Sequence, residues 1–117
     1  MKIAFDVDDT LIIPSVVTGN RDAPNYETIA IYRWFQAQGY EMIIWSGSGI
    51  EWAQTWGEKL GLEPFEVRPK LQHYDDVLIT FDDCDVELAT ANIKVKRIKN
   101  STSREIWNKT KHLPDKE

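Results

Sequence analysis

Residues 3–11 read Ile-Ala-Phe-Asp-Val-Asp-Asp-Thr-Leu, an apolar run that ends directly in carboxylates. The run predicts a buried strand over residues 2–6, with Asp6 at its C-terminal tip and Asp8 two residues further on. Carboxylates this close raise each other's pKa unless a cation offsets their repulsion. Because aspartate is also common in turns, the run alone fits either a ligand-binding site or an acidic turn after a strand.

The rest of the chain alternates helical and strand patterns. We predict helices over residues 25–38 and from 48 or 49 to 60, each stopped by a glycine. Further strands are predicted over residues 41–45, 65–67, 77–81 and 93–98. Such alternation predicts one α/β, Rossmann-like domain, in which helices flank a central parallel sheet of five strands.

Composition limits the classes of function. The chain has 117 residues, enough for one domain, and its net charge of −5 argues against a general nucleic-acid binder. Cys84 is the only cysteine, so no intrachain disulfide can form. The first residues are too polar for a secretion signal, and no apolar run approaches ~20 residues. We therefore expect a cytoplasmic protein without a membrane segment.

Two polar motifs follow the second and third predicted strands. Ser46 and Gly47 come directly after the second strand, where a hydroxyl and open backbone N–H groups can hold a phosphoryl oxygen. Lys70 comes shortly after the third strand, and Arg68 competes with it for the same role. Ligands of open parallel sheets bind outside the carboxyl ends of the strands, so we expect these groups to meet there.

A family resemblance rests on the segment Asp6-Val7-Asp8-Asp9-Thr10. It is similar to the Asp-x-Asp-x-Thr signature of the haloacid dehalogenase superfamily, and of its phosphatases in particular. In that family the first aspartate is the nucleophile and the second is the general acid/base, which implies these roles for Asp6 and Asp8. Attack by the first carboxylate gives a phospho-aspartate, which splits one hard step into two easier ones.

The resemblance extends to the later motifs, which arrive in the family's order. It implies that Ser46 and Gly47 bind the phosphoryl group. It also implies that Lys70, which we favour over Arg68, offsets the negative charge of the nucleophile and phosphate. The implied activity is a magnesium-dependent phosphomonoester hydrolase.

The acids after the fourth strand complete this resemblance. Asp82 and Asp83 look like the family's fourth motif, in which carboxylates bind Mg²⁺, a cation that prefers hard oxygen ligands. The implied protein ligands are Asp6, the backbone carbonyl of Asp8, and Asp82. Asp83 supports Asp82 or replaces it as ligand, and Asp85 is a reserve.

The resemblance covers about residues 2–98 and implies the sheet order 3-2-1-4-5, with the catalytic strand in the centre. Residues 11–25 and 47–70 leave no room for the cap domain that many members carry. We therefore predict a capless core over residues 1–99 with a flap at about 12–22. A basic C-terminal tail or short helix is predicted over residues 100–117.

An open site admits bulky substrates, such as a phosphorylated nucleic-acid end or another macromolecule. The basic residues between 94 and 112 could track a phosphate backbone, although they also fit a solvated edge and tail. Alternatively, a neighbouring subunit covers the site over a small metabolite. The helix at 25–38 is apolar almost all round, which favours contact between subunits in a homo-oligomer.

Two other classes of function remain open. A two-metal nuclease could use the carboxylates of Asp6, Asp8, Asp82 and Asp83. A receiver-like phosphoacceptor domain has a similar length and acidic site. It would place its hydroxyl and lysine after the second acidic motif, whereas here they precede it.

Overall fold

The computed structural model of the chain describes residues 1–14 and 22–97. Its elements follow one another as β1 (Lys2–Asp6), β2 (Ile12–Ile13), β3 (Ala23–Pro24), α1 (Tyr26–Ala37), β4 (Glu41–Trp45), α2 (Ile50–Lys59), β5 (Glu66–Val67), β6 (Val77–Asp82) and β7 (Ala91–Lys94). None of the helices in this part of the chain is long and apolar enough to cross a membrane.

The main sheet has five parallel strands in the order β5-β4-β1-β6-β7. Counted among these five strands, this is the predicted order 3-2-1-4-5, and the α/β fold class is confirmed. The strand labels differ because β2 and β3 lie between β1 and α1 and pair antiparallel with each other. This small pair forms the base of the predicted flap, and residues 15–21 between its strands lie outside the described residues.

Both described helices cover one face of the sheet. The crossovers from β1 to β4 and from β4 to β5 step in the same direction across the sheet, and right-handed connections then place both helices on one side. The Tyr32 hydroxyl of α1 donates to the carbonyl of Leu62, just beyond α2, at 2.9 Å. This core contains Ile3, Phe5, Tyr32, Met42, Ile44, Ala53 and Trp56.

Loops cover the opposite face in the described part of the chain. Trp45 and Ile43 are completely buried there, together with residues that follow β5 and β6. Tyr74 packs its ring 5.7 Å from Trp45, and Leu88 and Ala89 complete the cluster. The segments at 68–76 and 83–90 therefore shield apolar strand residues as well as connecting strands.

A bulge in β6 decides which face its side chains take. Lys2 pairs with Val77, but Ile3 pairs with Ile79, so one extra residue is accommodated in β6. As a result Val77 belongs to the loop-covered core, whereas Ile79 and Phe81 pack in the helix-covered core.

The predicted fifth strand over residues 93–98 is wrong in its bounds. β7 begins earlier, at Ala91, and ends at Lys94 because its partner β6 ends at Asp82, opposite Lys94. The last backbone bond runs from the Val95 N–H to the Asp82 carbonyl at 2.7 Å. The third strand is one residue shorter than predicted, and residue 98 lies outside the described residues.

The helices begin and end within two residues of their predicted bounds. Gly39 and Gly61 follow them with φ of 90° and 65°, a backbone conformation that glycine adopts without the cost a side chain imposes. The stop signals in the sequence were therefore correctly identified.

Candidate functional site

Parallel pairing brings Asp6 and Asp82 to one edge of the sheet. Asp6 ends β1 and Asp82 ends the neighbouring β6, so both carboxyls emerge at the carboxyl ends of the strands. Lys70, in the loop after β5, contacts both of them. Its Nζ lies 3.2 Å from Asp6 Oδ1 and 2.6 Å from Asp82 Oδ2. The side chains of Asp6 and Asp82 are only 5% and 0% exposed.

Burial dominates the electrostatics of these three groups. It raises the pKa of Asp6 well above its usual range, and the nearby Asp82 adds to this rise while Lys70 opposes it. Burial also raises the pKa of Asp82, against the opposing effect of Lys70. Burial alone would lower the pKa of Lys70, yet the carboxylates of Asp6 and Asp82 raise it above its usual range. The ammonium is thus held in its charged form, while ionising both carboxyls remains unfavourable.

Arg97 binds the second acid of the pair. Its Nε lies 2.7 Å from Oδ2 of the buried Asp83, and this bond raises the pKa of Arg97. Sequence reasoning had placed Arg97 in a basic stretch and had not connected it with the site. The spacing gives no signal for the contact, because it depends on how the chain turns after β7.

The turn after β1 is closed by backbone bonds. The Val7 carbonyl accepts N–H groups from residues 10–12, and Asp9 has a φ of 61°, which aspartate tolerates better than most residues. Asn25, at the start of α1, donates its side-chain Nδ2–H to the Thr10 carbonyl at 3.1 Å rather than capping its own helix. Through this hydrogen bond, the residue that precedes α1 helps to fix the conformation of the turn after β1.

Trp52 of α2 reaches the same motif from the other side. Its indole Nε1–H donates to Asp8 Oδ2 at 3.1 Å, and Asp8 is 9% exposed. In the sequence, helical spacing places Trp52 on one face with Ala53, Trp56 and Leu60, and this pattern predicts burial only. Helical periodicity identifies a face, but it does not reveal that an indole nitrogen at its edge meets a carboxylate.

Ser46 and Gly47 lie at the end of β4, next to β1. Ser46 is buried, and its Oγ accepts the Ser48 N–H at 3.0 Å, which leaves the hydroxyl proton available to donate. A cavity of about 130 Å³ adjoins this turn and the loop after β5. Its lining comprises Ser46, Gly47, Gly49, Ile50, Pro69, Lys70 and Leu71. All three residues predicted to bind phosphate, Ser46, Gly47 and Lys70, thus line one small cavity.

Arg68 and Asp85, the two alternatives drawn from the sequence, lie outside this arrangement. Arg68 contacts Asp76 with two bonds of 2.8 and 2.6 Å. Asp85 is exposed and pairs with Lys94 at 3.2 Å. The structure therefore brings Lys70, and not Arg68, to the carboxylates.

The acids at the end of β6 form a group that could hold a metal ion. Potential ligand atoms of Asp82, Asp83 and Cys84 lie within 4.8 Å of one another. Burial, with the charges of the two acids, raises the pKa of the Cys84 thiol, which makes it a poor ligand. The remaining donors of this group, Asp82 and Asp83, offer carboxylate oxygens, which suit a hard cation. Among residues 1–14 and 22–97, the cationic partners of Asp6, Asp82 and Asp83 are Lys70 and Arg97.

No family model, curated protein or solved structure matches this chain. The resemblance to haloacid dehalogenase phosphatases thus rests on the sequence motifs alone.

Proposed function

We propose that the chain is a magnesium-dependent phosphomonoester hydrolase that works through a phospho-aspartate on Asp6. The observation that carries this proposal is the contact of one ammonium, Lys70, with both Asp6 and Asp82 at adjacent strand ends. The cavity that Lys70 shares with Ser46 supports it, because the two groups could bind oxygens of one phosphoryl group.

The first step forms the phospho-enzyme. An oxygen of Asp6 attacks phosphorus, the ester P–O bond breaks, and Asp8 gives its proton to the departing alcohol oxygen. Lys70 and the Ser46 hydroxyl stabilise the charge on the phosphoryl oxygens. Bound Mg²⁺, held by Asp6, Asp82 and the Asp8 carbonyl, would neutralise further negative charge.

The second step regenerates Asp6. Asp8, now ionised, removes a proton from water, and the resulting hydroxide attacks phosphorus. The bond between phosphorus and Asp6 breaks, and inorganic phosphate leaves. One residue thus acts first as acid and then as base, and the proton count balances over the cycle.

The Lys70 contacts also favour this reaction over a two-metal nuclease. A nuclease of that kind would hold two cations among Asp6, Asp8, Asp82 and Asp83. Here a protein ammonium already lies against two of those four carboxylates. The phospho-aspartate mechanism proposed here needs one metal ion and one such ammonium.

Replacing the nucleophile tests the proposal. Wild type should hydrolyse an aryl phosphate only with Mg²⁺ present, and Asp6→Asn should lose turnover by roughly a thousandfold or more, since no phospho-enzyme can form. Beryllium fluoride should inhibit wild type and fail to bind Asp6→Asn.

Asp85→Asn is the matched control, because Asp85 is an exposed acid outside the site, and it should keep wild-type turnover. Retained activity in Asp6→Asn would disprove the phospho-aspartate mechanism. Cleavage of phosphodiesters by wild type, without inhibition by beryllium fluoride, would move the assignment to the nuclease.

A further inference from the structure

Two exposed apolar side chains adjoin the cavity that Ser46 and Lys70 share. Leu71 follows Lys70 directly and is 84% exposed, and Ile50, the first residue of α2, is 49% exposed. Both belong to the lining of this cavity. Apolar side chains scattered singly over a protein surface need no explanation, whereas these two meet at one polar cavity.

Folding makes little use of these two side chains. Leu71 removes little apolar surface from water, so the hydrophobic effect gives it almost no share in the stability of the fold. Ile50 is half exposed and leaves much of its side chain in water as well. A ligand that covered both residues would bury the apolar surface that folding leaves exposed.

Packed structure holds both residues in place. The Tyr74 hydroxyl donates to the Pro69 carbonyl at 2.8 Å and so closes the turn that carries Leu71. Ile50 begins α2, a helix that the completely buried Ala53 anchors in the core. A surface fixed in this way suits binding, because little conformational freedom is lost when a ligand contacts it.

The cavity is too small to enclose a whole substrate. Its volume is about 130 Å³, whereas sites that enclose a small ligand measure ~300–1,000 Å³. The Ser46 hydroxyl and the Lys70 ammonium can bind a phosphoryl group here, but the rest of the ester must extend out of the cavity. Because Ile50 and Leu71 line the cavity and are also exposed, they lie on its open side.

We infer that Ile50 and Leu71 bind the leaving group of the substrate, and that this group presents an apolar surface, such as the face of a ring, close to the ester oxygen. The inference rests on the proposed function and names its substrate class. Aliphatic side chains cannot replace the water that hydrates the hydroxyls of a polyol phosphate, so such esters are disfavoured. A terminal nucleobase and an aryl group both offer the required surface.

The test compares benzyl phosphate with hydroxyethyl phosphate, whose alcohols have similar acidity and so make similar demands on the chemical step. The ratio of kcat/KM for the benzyl ester to that for the hydroxyethyl ester should fall about tenfold in Leu71→Ser and about threefold in Ile50→Thr. Ile93→Thr is the matched control, because Ile93 is an isoleucine of comparable exposure on β7, away from the cavity. It should keep the ratio within about twofold of wild type.

Equal losses on both esters in Leu71→Ser would show a merely structural role and overturn the inference, as would an unchanged ratio. A nucleoside 3′-phosphate identifies the source of the apolar surface. A loss on this substrate that matches the loss on benzyl phosphate supports a contact with the base. A loss on benzyl phosphate alone supports a contact with an aryl group next to the ester oxygen.

Binding gives a readout independent of turnover. With Mg²⁺ present, wild type should bind benzylphosphonate more tightly than hydroxyethylphosphonate, and Leu71→Ser should lose most of this difference. Its thermal unfolding should match that of wild type, because Leu71 is exposed. Equal affinities of wild type for the two phosphonates would refute the inference even in an active phosphatase. If wild type hydrolyses neither ester, the proposed function fails, and the leaving-group assignment fails with it.

Discussion

At the scale of single residues, Lys70 governs how much negative charge the site can hold. Its ammonium contacts Asp6 and Asp82, yet the pKa of each carboxyl remains raised because burial outweighs this attraction. Without a metal ion, the folded protein therefore holds the carboxyl groups of Asp6 and Asp82 in a buried environment that disfavours their ionised form. Such a cost is expected at a site that is complementary to a bound cation and phosphate.

This cost predicts a stability change in Asp6→Asn. A raised folded-state pKa gives stability that is fully present below the unfolded value of ~3.9 and is lost as pH rises through the folded value. Asparagine does not ionise and escapes this loss. In metal-free buffer at pH 7, thermal unfolding should show Asp6→Asn more stable by about 1 kcal/mol or more, or ~4 °C in Tm.

The gain should shrink as pH falls through the raised pKa of Asp6 and approach zero near pH 4, where the folded wild-type carboxyl is already protonated. Asp85→Asn should show no comparable gain, because Asp85 is exposed. A gain in Asp6→Asn that is equal at both pH values would mean that ionisation of Asp6 is not its cause.

The site residues at the ends of strands could be predicted from the sequence. The residues from other parts of the chain that contact them could not. Asp6 and Asp82 could be predicted to meet because parallel order alone aligns the ends of neighbouring strands. Position after the third strand left Lys70 and Arg68 as alternatives, and only the family resemblance favoured Lys70. Trp52 and Arg97 could not be predicted, because their contacts depend on helix rotation and on side-chain reach across distant parts of the chain.

At the scale of elements, a glycine in α2 allows this helix to pack closely against the residue that precedes the outermost strand, β5. A Cβ at Gly57 would collide with the ring of Phe65, which precedes β5. Gly57 is buried, and Phe65 packs against the helix-covered core. The close approach of helix and edge strand therefore requires the absence of a side chain at this position.

Gly57→Ala should consequently destabilise the fold, although alanine is the better helix former by ~1 kcal/mol. The clash with Phe65 should outweigh that gain and lower the free energy of unfolding by about 1–3 kcal/mol in chemical denaturation. Phe65→Leu should recover part of the loss in the double variant, because it removes the ring that the new methyl group meets. If Gly57→Ala stabilises the protein, Phe65 can move away at little cost.

Element bounds were predictable where local chemistry sets them. Gly39 and Gly61 end their helices through their own backbone conformation, which a sequence displays directly. The end of β7 is set instead by the length of β6, so the sequence did not indicate that the strand stops at Lys94. The bulge near Val77 leaves no mark in a run of good strand formers.

At the scale of the whole molecule, the charge around the site bears on the proposed substrate. Within the described residues, Lys94 pairs with Asp85 and Arg97 pairs with Asp83, so these two basic side chains meet acids of the protein. The predicted tail over 100–117 lies outside the described residues. The exposed side chains of Ile31 and Trp34 on α1 fit the predicted contact between subunits.

We propose a phosphorylated nucleic-acid end as substrate, and salt dependence tests this. If basic residues guide a polyanion, kcat/KM on a 3′-phosphorylated oligonucleotide should fall steeply as salt rises, because each phosphate contact releases counterions. The value for an aryl phosphate should fall far less. A chain ending at residue 99 should lose oligonucleotide activity preferentially. Matching salt slopes for both substrates would favour a small metabolite.

The loop-covered face of the sheet has a consequence for how this architecture can diverge. The segment at 68–76 shields Trp45 through Tyr74 and also carries Lys70, so an insertion there would disturb the apolar shield and the charge arrangement together. Over evolutionary time, lineages should therefore keep the length of the segment after β5.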